Sequence, residues 1–130
     1  MQDIVRAMVA AAGGMRAQSL RLRLIGENVA NADTPGYHRK KVAFEQAIDR
    51  ASGATTVTPG RIRLDASPFR ESYDPGHPLA DARGIVRHSN VNPLIELADA
   101  REANRSYQAS LVIFDQARRM YGGVLDLLRR

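Results

Sequence analysis

Proline occurs six times in this chain, at 35, 59, 68, 75, 78 and 93, and so always within residues 34–93. Proline breaks a helix interior by removing a backbone donor and clashing with the preceding turn. The two ends are therefore free to be long helices and the middle is not. Half of the ten glycines also fall in the middle stretch. Only a third of its residues are apolar, against about half of the flanks. Composition thus divides the 130 residues into 1–33, 34–92 and 93–130.

The first flank has helical period. Met8, Met15, Leu22 and Val29 lie seven apart, and Ile4, Ala11, Gln18 and Ile25 form a second row offset by three. Such rows make an a/d seam. Gly13-Gly14 weakens the helix by about 1 kcal/mol per glycine relative to alanine. Asn31 is expected to end it in the left-handed conformation, ahead of Thr34-Pro35-Gly36. A helix of about 28 residues would be ~42 Å long.

The second flank repeats the pattern. Asn92 suits an N-cap and Pro93 the first helical position. Glu96 and Asp99 complement the positive end of the dipole. Leu97, Asn104, Leu111, Arg118 and Leu125 make one row; Ala100, Tyr107, Phe114, Tyr121 and Leu128 make the other. Asn104 and Arg118 are expected to interrupt the seam and fix its register. Gly122-Gly123 is expected to be a kink or weak point.

The middle has strand-like patterns at Tyr37–Phe44, Arg61–Leu64 and Gly84–Val86, separated by proline and glycine. The expected fold is mainly α, with a small β-rich insertion between long terminal helices that form a coiled-coil-like pair. Apolar residues off the seams include Val5, Val9, Leu20 and Leu24 on the first helix and Ile95, Val112, Ile113 and Leu127 on the second. Burying each is worth about 1.5–3 kcal/mol. The middle is too poor in apolar residues to cover them, so their burial is expected between subunits. A helical pair covered by its own β unit is the alternative.

Chemistry is sparse. There is no cysteine, so no disulfide, zinc ribbon or thiol nucleophile. The histidines at 38, 77 and 88 lack metal-ligand spacing, and no nucleophile elbow or phosphate loop occurs. Asp74, His77 and Asp81 could be drawn as an acid–base set, but Asp74-Pro75-Gly76 reads more simply as a turn. No catalytic, cofactor-binding or metal-binding residue is assigned. The net charge of +5 is spread as +1, +3 and +1 over the three pieces. Arg39-Lys40-Lys41 is the densest cluster, and ordinary solvated charge explains it better than a nucleic-acid stripe. The longest apolar run, Met8 to Met15, is far short of the ~20 residues that span a membrane. No direct membrane insertion is expected, and the start of the chain does not read as a secretory signal.

Ala30-Asn31-Ala32-Asp33-Thr34-Pro35-Gly36-Tyr37 resembles the turn that closes the N-terminal helix of bacterial flagellar axial proteins, with Asn31, Thr34, Pro35, Gly36 and Tyr37 as its signature. A second block is similar to proteins of the proximal rod: Tyr73-Asp74-Pro75-Gly76-His77-Pro78-Leu79-Ala80-Asp81, then Gly84, Val86 and Asn90-Val91. Ala17-Gln18-Ser19-Leu20-Arg21-Leu22 and Arg105-Ser106-Tyr107-Gln108-Ala109 fit the same family. The family often has Tyr at Ile85, Pro at Ser89 and Asn at Ser110. A sibling rod protein shares the turn but usually lacks the second block, and is the closest competing assignment.

The resemblance implies a structural subunit of the flagellar basal body, polymerising through its terminal helices into the proximal rod of the drive shaft. It implies an inner tube built from 1–33 and 93–130, with 34–92 further out. It implies copies of itself and other rod proteins as partners, and export by the flagellar type III apparatus without a cleaved signal. No enzymatic activity, cofactor or nucleic-acid partner is implied. The residues expected to pack between subunits are Ile4, Met8, Met15, Leu22, Ile25, Val29, Leu97, Tyr107, Leu111, Phe114, Tyr121, Leu125 and Leu128.

Overall fold

The computed structural model describes all 130 residues. Two long helices, α1 (Gln2–Ala30) and α2 (Pro93–Leu128), flank four strands: β1 (Lys40–Ile48), β2 (Thr55–Leu64), β3 (Glu71–Tyr73) and β4 (Ile85–Arg87). The fold class is the expected one, mainly α with a small antiparallel β region. No helix is long and apolar enough to cross a membrane.

The helices run antiparallel. Gly14 meets Ser110, Arg21 pairs with Asp99 and Glu102, and Asn28 reaches Glu96. The position on α2 falls as that on α1 rises. The contact departs from the expected rows only in part: Ala11 and Ile25 of the second row are buried, but Met8, Met15 and Leu22 are half-buried and Val29 is exposed. In α2 it follows Glu96, Ala103 and Ala117, which are buried, with Ser110 between them in the same seven-residue row. In α1 it follows Gly14, Arg21 and Asn28, flanked by buried Ala17 and Leu24. The contact is thus centred one residue before the expected rows, with Ala11 and Ile25 of the second α1 row still buried.

Side-chain size explains the shift. Glycine, alanine and serine let two helix backbones approach closely, whereas a leucine row would hold them apart. The Leu97–Leu125 row of α2 is accordingly exposed, Asn104 and Arg118 included. These two polar residues interrupt no seam within the chain; Arg118 pairs with Asp115. Leu24, expected to lie off the seam, is 3% exposed.

Asn31 caps α1 without the left-handed backbone expected of it, at φ −106°. Its amide nitrogen donates to the Glu27 carbonyl at 2.9 Å, so the side chain satisfies a helix-end acceptor directly. At the other junction Asn92 accepts from the Leu94 N–H at 3.1 Å, with Pro93 at the first helical position. Helix α2 runs on through Gly122-Gly123 to Leu128.

Strands β1 and β2 form one antiparallel hairpin; β3 and β4 form another. Both strands of the first extend beyond the expected segments. Pro59-Gly60 reads as a break in the sequence, yet it lies within β2 where the register shifts between Val42 and Phe44. A bulge is where a sheet tolerates proline. Gly60 is needed there because a Cβ would come within 3.0 Å of the Ala43 carbonyl oxygen. Tyr37, expected in the first strand, belongs instead to the turn before it.

The hairpin rests on α1 at Gly13. A Cβ there would lie 1.8 Å from the Thr56 hydroxyl oxygen. The apparent weak point of α1 is thus the place where β2 touches the helix. Two substitutions separate propensity from packing. Gly26→Ala, with no atom within 4 Å of the added methyl, should stabilise the protein by about 0.5–1 kcal/mol. Gly13→Ala should destabilise it, because Thr56 must move. Urea denaturation of the two variants should give shifts of opposite sign.

Candidate functional site: a buried polar junction and an uncovered helix face

The chain's most completely buried large side chain is a carboxylate. Glu96, in the first turn of α2, is 0% exposed. One of its oxygens accepts from the Arg39 guanidinium Nε and the other from the Asn28 amide at 3.4 Å. Arg39 also reaches Asp99 at 3.1 Å and Asp65 at 3.5 Å. Its backbone N–H donates to Asn90 Oδ1 at 2.6 Å. The Asn90 amide in turn donates to the carbonyls of Asp65 and Ser67. A single arginine therefore ties the start of β1 to α2 and to the loops on both sides.

Asn28 does the same for the end of α1. Its Nδ2 donates to the Lys40 carbonyl at 2.9 Å and to Glu96; its Oδ1 accepts from the Lys40 N–H at 2.9 Å and the Tyr37 hydroxyl at 3.0 Å. All four hydrogen-bonding sites of an amide side chain are used. Asp lacks the donors and Leu lacks everything.

The signature turn is part of this junction. Gly36 has φ +74°, and the Tyr37 N–H closes back on the Thr34 carbonyl at 3.2 Å. Positive φ after proline is what a type II turn requires. The Gly36 N–H donates to the Arg87 carbonyl, joining the turn to β4. Tyr37 leans back on α1 through its bond to Asn28. Ser89, where the family often has Pro, is buried and donates its hydroxyl to the Ala32 carbonyl.

The second block is a set of turns around β3 and β4. Gly84 has φ +78°, and a Cβ there would come 2.8 Å from the Tyr73 ring and 3.1 Å from Pro75. Asp81 Oδ1 accepts from the N–H groups of Arg83 and Ile85 at 2.8 and 3.0 Å. His77 Nδ1 accepts from the Leu79 N–H, and the Ala80 N–H closes on the His77 carbonyl. Asp81 and His77 thus serve backbone turns, and no group of His, Asp and Glu side chains is disposed to hold a metal.

Charge state follows from these contacts. Burial opposes the charge on Arg39, but the Glu96 hydrogen bond and the charges of Glu96, Asp99 and Asp65 outweigh it and raise its pKa. Asp65 is lowered by the Ser67 hydroxyl and N–H, with Lys41 and Arg39 adding to the effect. Asp81 is lowered by the Ile85 and Arg83 N–H groups. Glu27 is lowered by its hydrogen bond and charge pairing with Lys40. The Tyr37 hydroxyl is raised, chiefly by burial.

Sequence reasoning missed this junction. It placed Glu96 and Asp99 at the helix dipole and Arg39 among solvated charges, and it passed over Asn28. Asn28 sits seven before Pro35, directly after Glu27, and nothing in its neighbours marks it as buried. Lysines and arginines next to a strand start give no sign of which one turns inward.

The residues expected to pack between subunits divide by helix. Ile25 is buried; Ile4, Met8, Met15 and Leu22 are half-buried; Val29 is exposed. On α2, Tyr107, Phe114 and Tyr121 are half-buried, and Leu97, Leu111, Leu125 and Leu128 are exposed. Ile95, Val112, Ile113 and Leu127 add to this uncovered face, each more than half exposed. Helix α2, at 36 residues against 29 for α1, outruns its partner, which leaves its last turns bare.

Residues 8–38 match the family model described as flagella basal body rod protein. The chain is 44% identical to the flagellar basal-body rod protein FlgC of Agrobacterium fabrum, across 99% of this chain and 98% of that protein. It is 35% identical to FlgC of Salmonella typhimurium, across 90% and 92%. With FlgC of Aquifex aeolicus it shares 32%, across 93% and 94%. The chain belongs to the FlgC family of flagellar basal-body rod proteins, which makes it a structural subunit of the rod.

Removing one partner of a buried ion pair strands the other. Arg39→Ala should cost about 3–5 kcal/mol, whereas Arg63→Ala on the exposed hairpin should stay within about 0.5 kcal/mol; urea melts decide. Gly36→Val should cost about 1–3 kcal/mol through backbone strain at positive φ, with Pro35→Ala milder. The lowered carboxylates fix the sign of the pH dependence. Asp65, Asp81 and Glu27 bind protons less readily folded than unfolded. Their stabilisation is present above the ordinary carboxylate range and is lost as pH falls through it, from about pH 4 downward. A melting temperature that rises on acidification would contradict these contacts.

Proposed function

We propose that the subunit polymerises in the proximal rod through the outward rows of α1 and α2, with residues 1–33 and 93–130 forming the inner tube and 34–92 lying further out. The observation that carries this reading is the apolar face of α2. Leu94, Ile95, Leu97, Leu111, Val112 and Ile113 are all exposed, with nothing in the chain to cover them. Each such side chain gains about 1.5–3 kcal/mol on burial, and exposed apolar clusters of this kind mark an association surface. The same face suits contact with copies of this chain and with other rod proteins. The role is structural, in keeping with a family of rod proteins. Passage through the type III export apparatus without a cleaved signal completes the proposal.

Exposure separates assembly from folding at single residues. Leu111→Asp, at an exposed position, should leave the monomer's stability within about 0.5 kcal/mol yet abolish incorporation into basal bodies and motility. Leu24→Asp should instead unfold the subunit, because an unpaired charge would be buried. Circular dichroism of the monomers and counts of the subunit in purified basal bodies measure both arms. Normal incorporation of Leu111→Asp would place the assembly surface elsewhere.

A further inference from the structure

The consecutive cations Arg39, Lys40 and Lys41 go three different ways. Arg39 turns in to Glu96, and Lys40 pairs with Glu27 at 2.9 Å. Lys41 has no acid within ion-pair distance and is exposed. Its partner across the hairpin is Arg63, also exposed and unpaired. Like charges directly opposite on neighbouring strands repel. Arg61 lines the same open hollow as Lys41, Arg63 and Glu45. Asp65 is the nearest relief, but Ser67 and Arg39 already engage it. Three cations are thus held together on the hairpin with Glu45 as the one acid among them and no ion pair to any of the three.

We propose that this face of the β1–β2 hairpin docks an acidic surface of a different rod subunit. A second copy of the chain is a poor occupant. Each copy carries +5, and of its five acids outside ion pairs Glu45 lies in the hollow itself, Asp49 is held by Ser52, and Asp33, Asp74 and Asp126 are scattered along the chain. Glu45 within the hollow disfavours a continuous run of phosphates, as in nucleic acid or a lipid surface. It suits a protein face that offers carboxylates to the cations and one donor to Glu45. The partner's nature rests on the rod reading, but the surface is distinct from the helix face proposed above.

The test uses Lys41→Glu/Arg63→Glu beside Lys41→Ala/Arg63→Ala. Each other rod subunit of the same bacterium is purified and titrated against the full chain over a range of salt. The wild type should bind one of them, with an affinity that falls as salt rises. The Glu variant should weaken that Kd by about tenfold or more, and the Ala variant should do so less. The Ala variant should not melt below the wild type, because it removes a like-charge pair; a lower melting temperature in it would show that the pair serves folding and overturn the proposal. So would binding to none of the subunits, or an affinity unchanged by the substitutions. Loss of self-association instead would assign the face to a second copy, and loss of binding to anionic phospholipid vesicles would assign it to a membrane; either outcome also overturns the proposal. Leu111→Asp is titrated in parallel. Its loss of assembly with hairpin binding retained would separate the two surfaces, and the failure of either reading would leave the other standing.

Discussion

A carboxylate with no solvent exposure depends wholly on its partners. Glu96 is such a group, and its partners come from the two segments that α2 must find: Asn28 at the end of α1 and Arg39 at the start of β1. The desolvation of these charges is offset only when the geometry is complete. The contacts therefore act less as a source of net stability than as a condition on how the parts may fit. Sliding α2 by one turn along α1 would leave Glu96 buried without its arginine. The polar junction sets the register of a helix pair whose seam of alanine, glycine and serine could slip at little cost.

From that junction the rest is arranged outward. The type II turn at Pro35-Gly36 reverses the chain so that Tyr37 returns to Asn28, and the next residues deliver Arg39 to Glu96. The Gly36 N–H and the Ser89 hydroxyl bind the returning loop to the same helix end. The small residues draw the helices close, which leaves the larger leucines, isoleucines and valines of α2 outside. One division thus follows from side-chain size: small residues dominate the α2 side of the helix contact, and most large apolar side chains of α2 stay exposed.

Much of the fold is legible in the sequence because helix, cap and turn are local. The confinement of proline to 34–93, the seven-residue spacing and the Asn92-Pro93 cap require only neighbours in the chain. The choice of seam was not legible. Two rows one residue apart both have heptad spacing in each flank, and hydrophobicity favours the leucine row. The observed row is chosen by close approach, a property of two backbones together. Pro59-Gly60 misleads for a similar reason: it breaks a regular strand but fits a bulge, and whether a bulge is present depends on the opposite strand.

The helix–β–helix order, the cap of α2, the glycine-dependent turn at residue 36 and the family resemblance are readable from the amino acids alone, because each rests on short-range stereochemistry or on a contiguous motif. Which helix faces meet, which of three consecutive cations turns inward, and that Lys41, Arg61 and Arg63 share one face all depend on contacts between distant segments. Charge and burial are relations between segments far apart in the chain. Glu96 and Arg39 are 57 positions apart, and no local rule distinguishes that pair from the solvated charges around it.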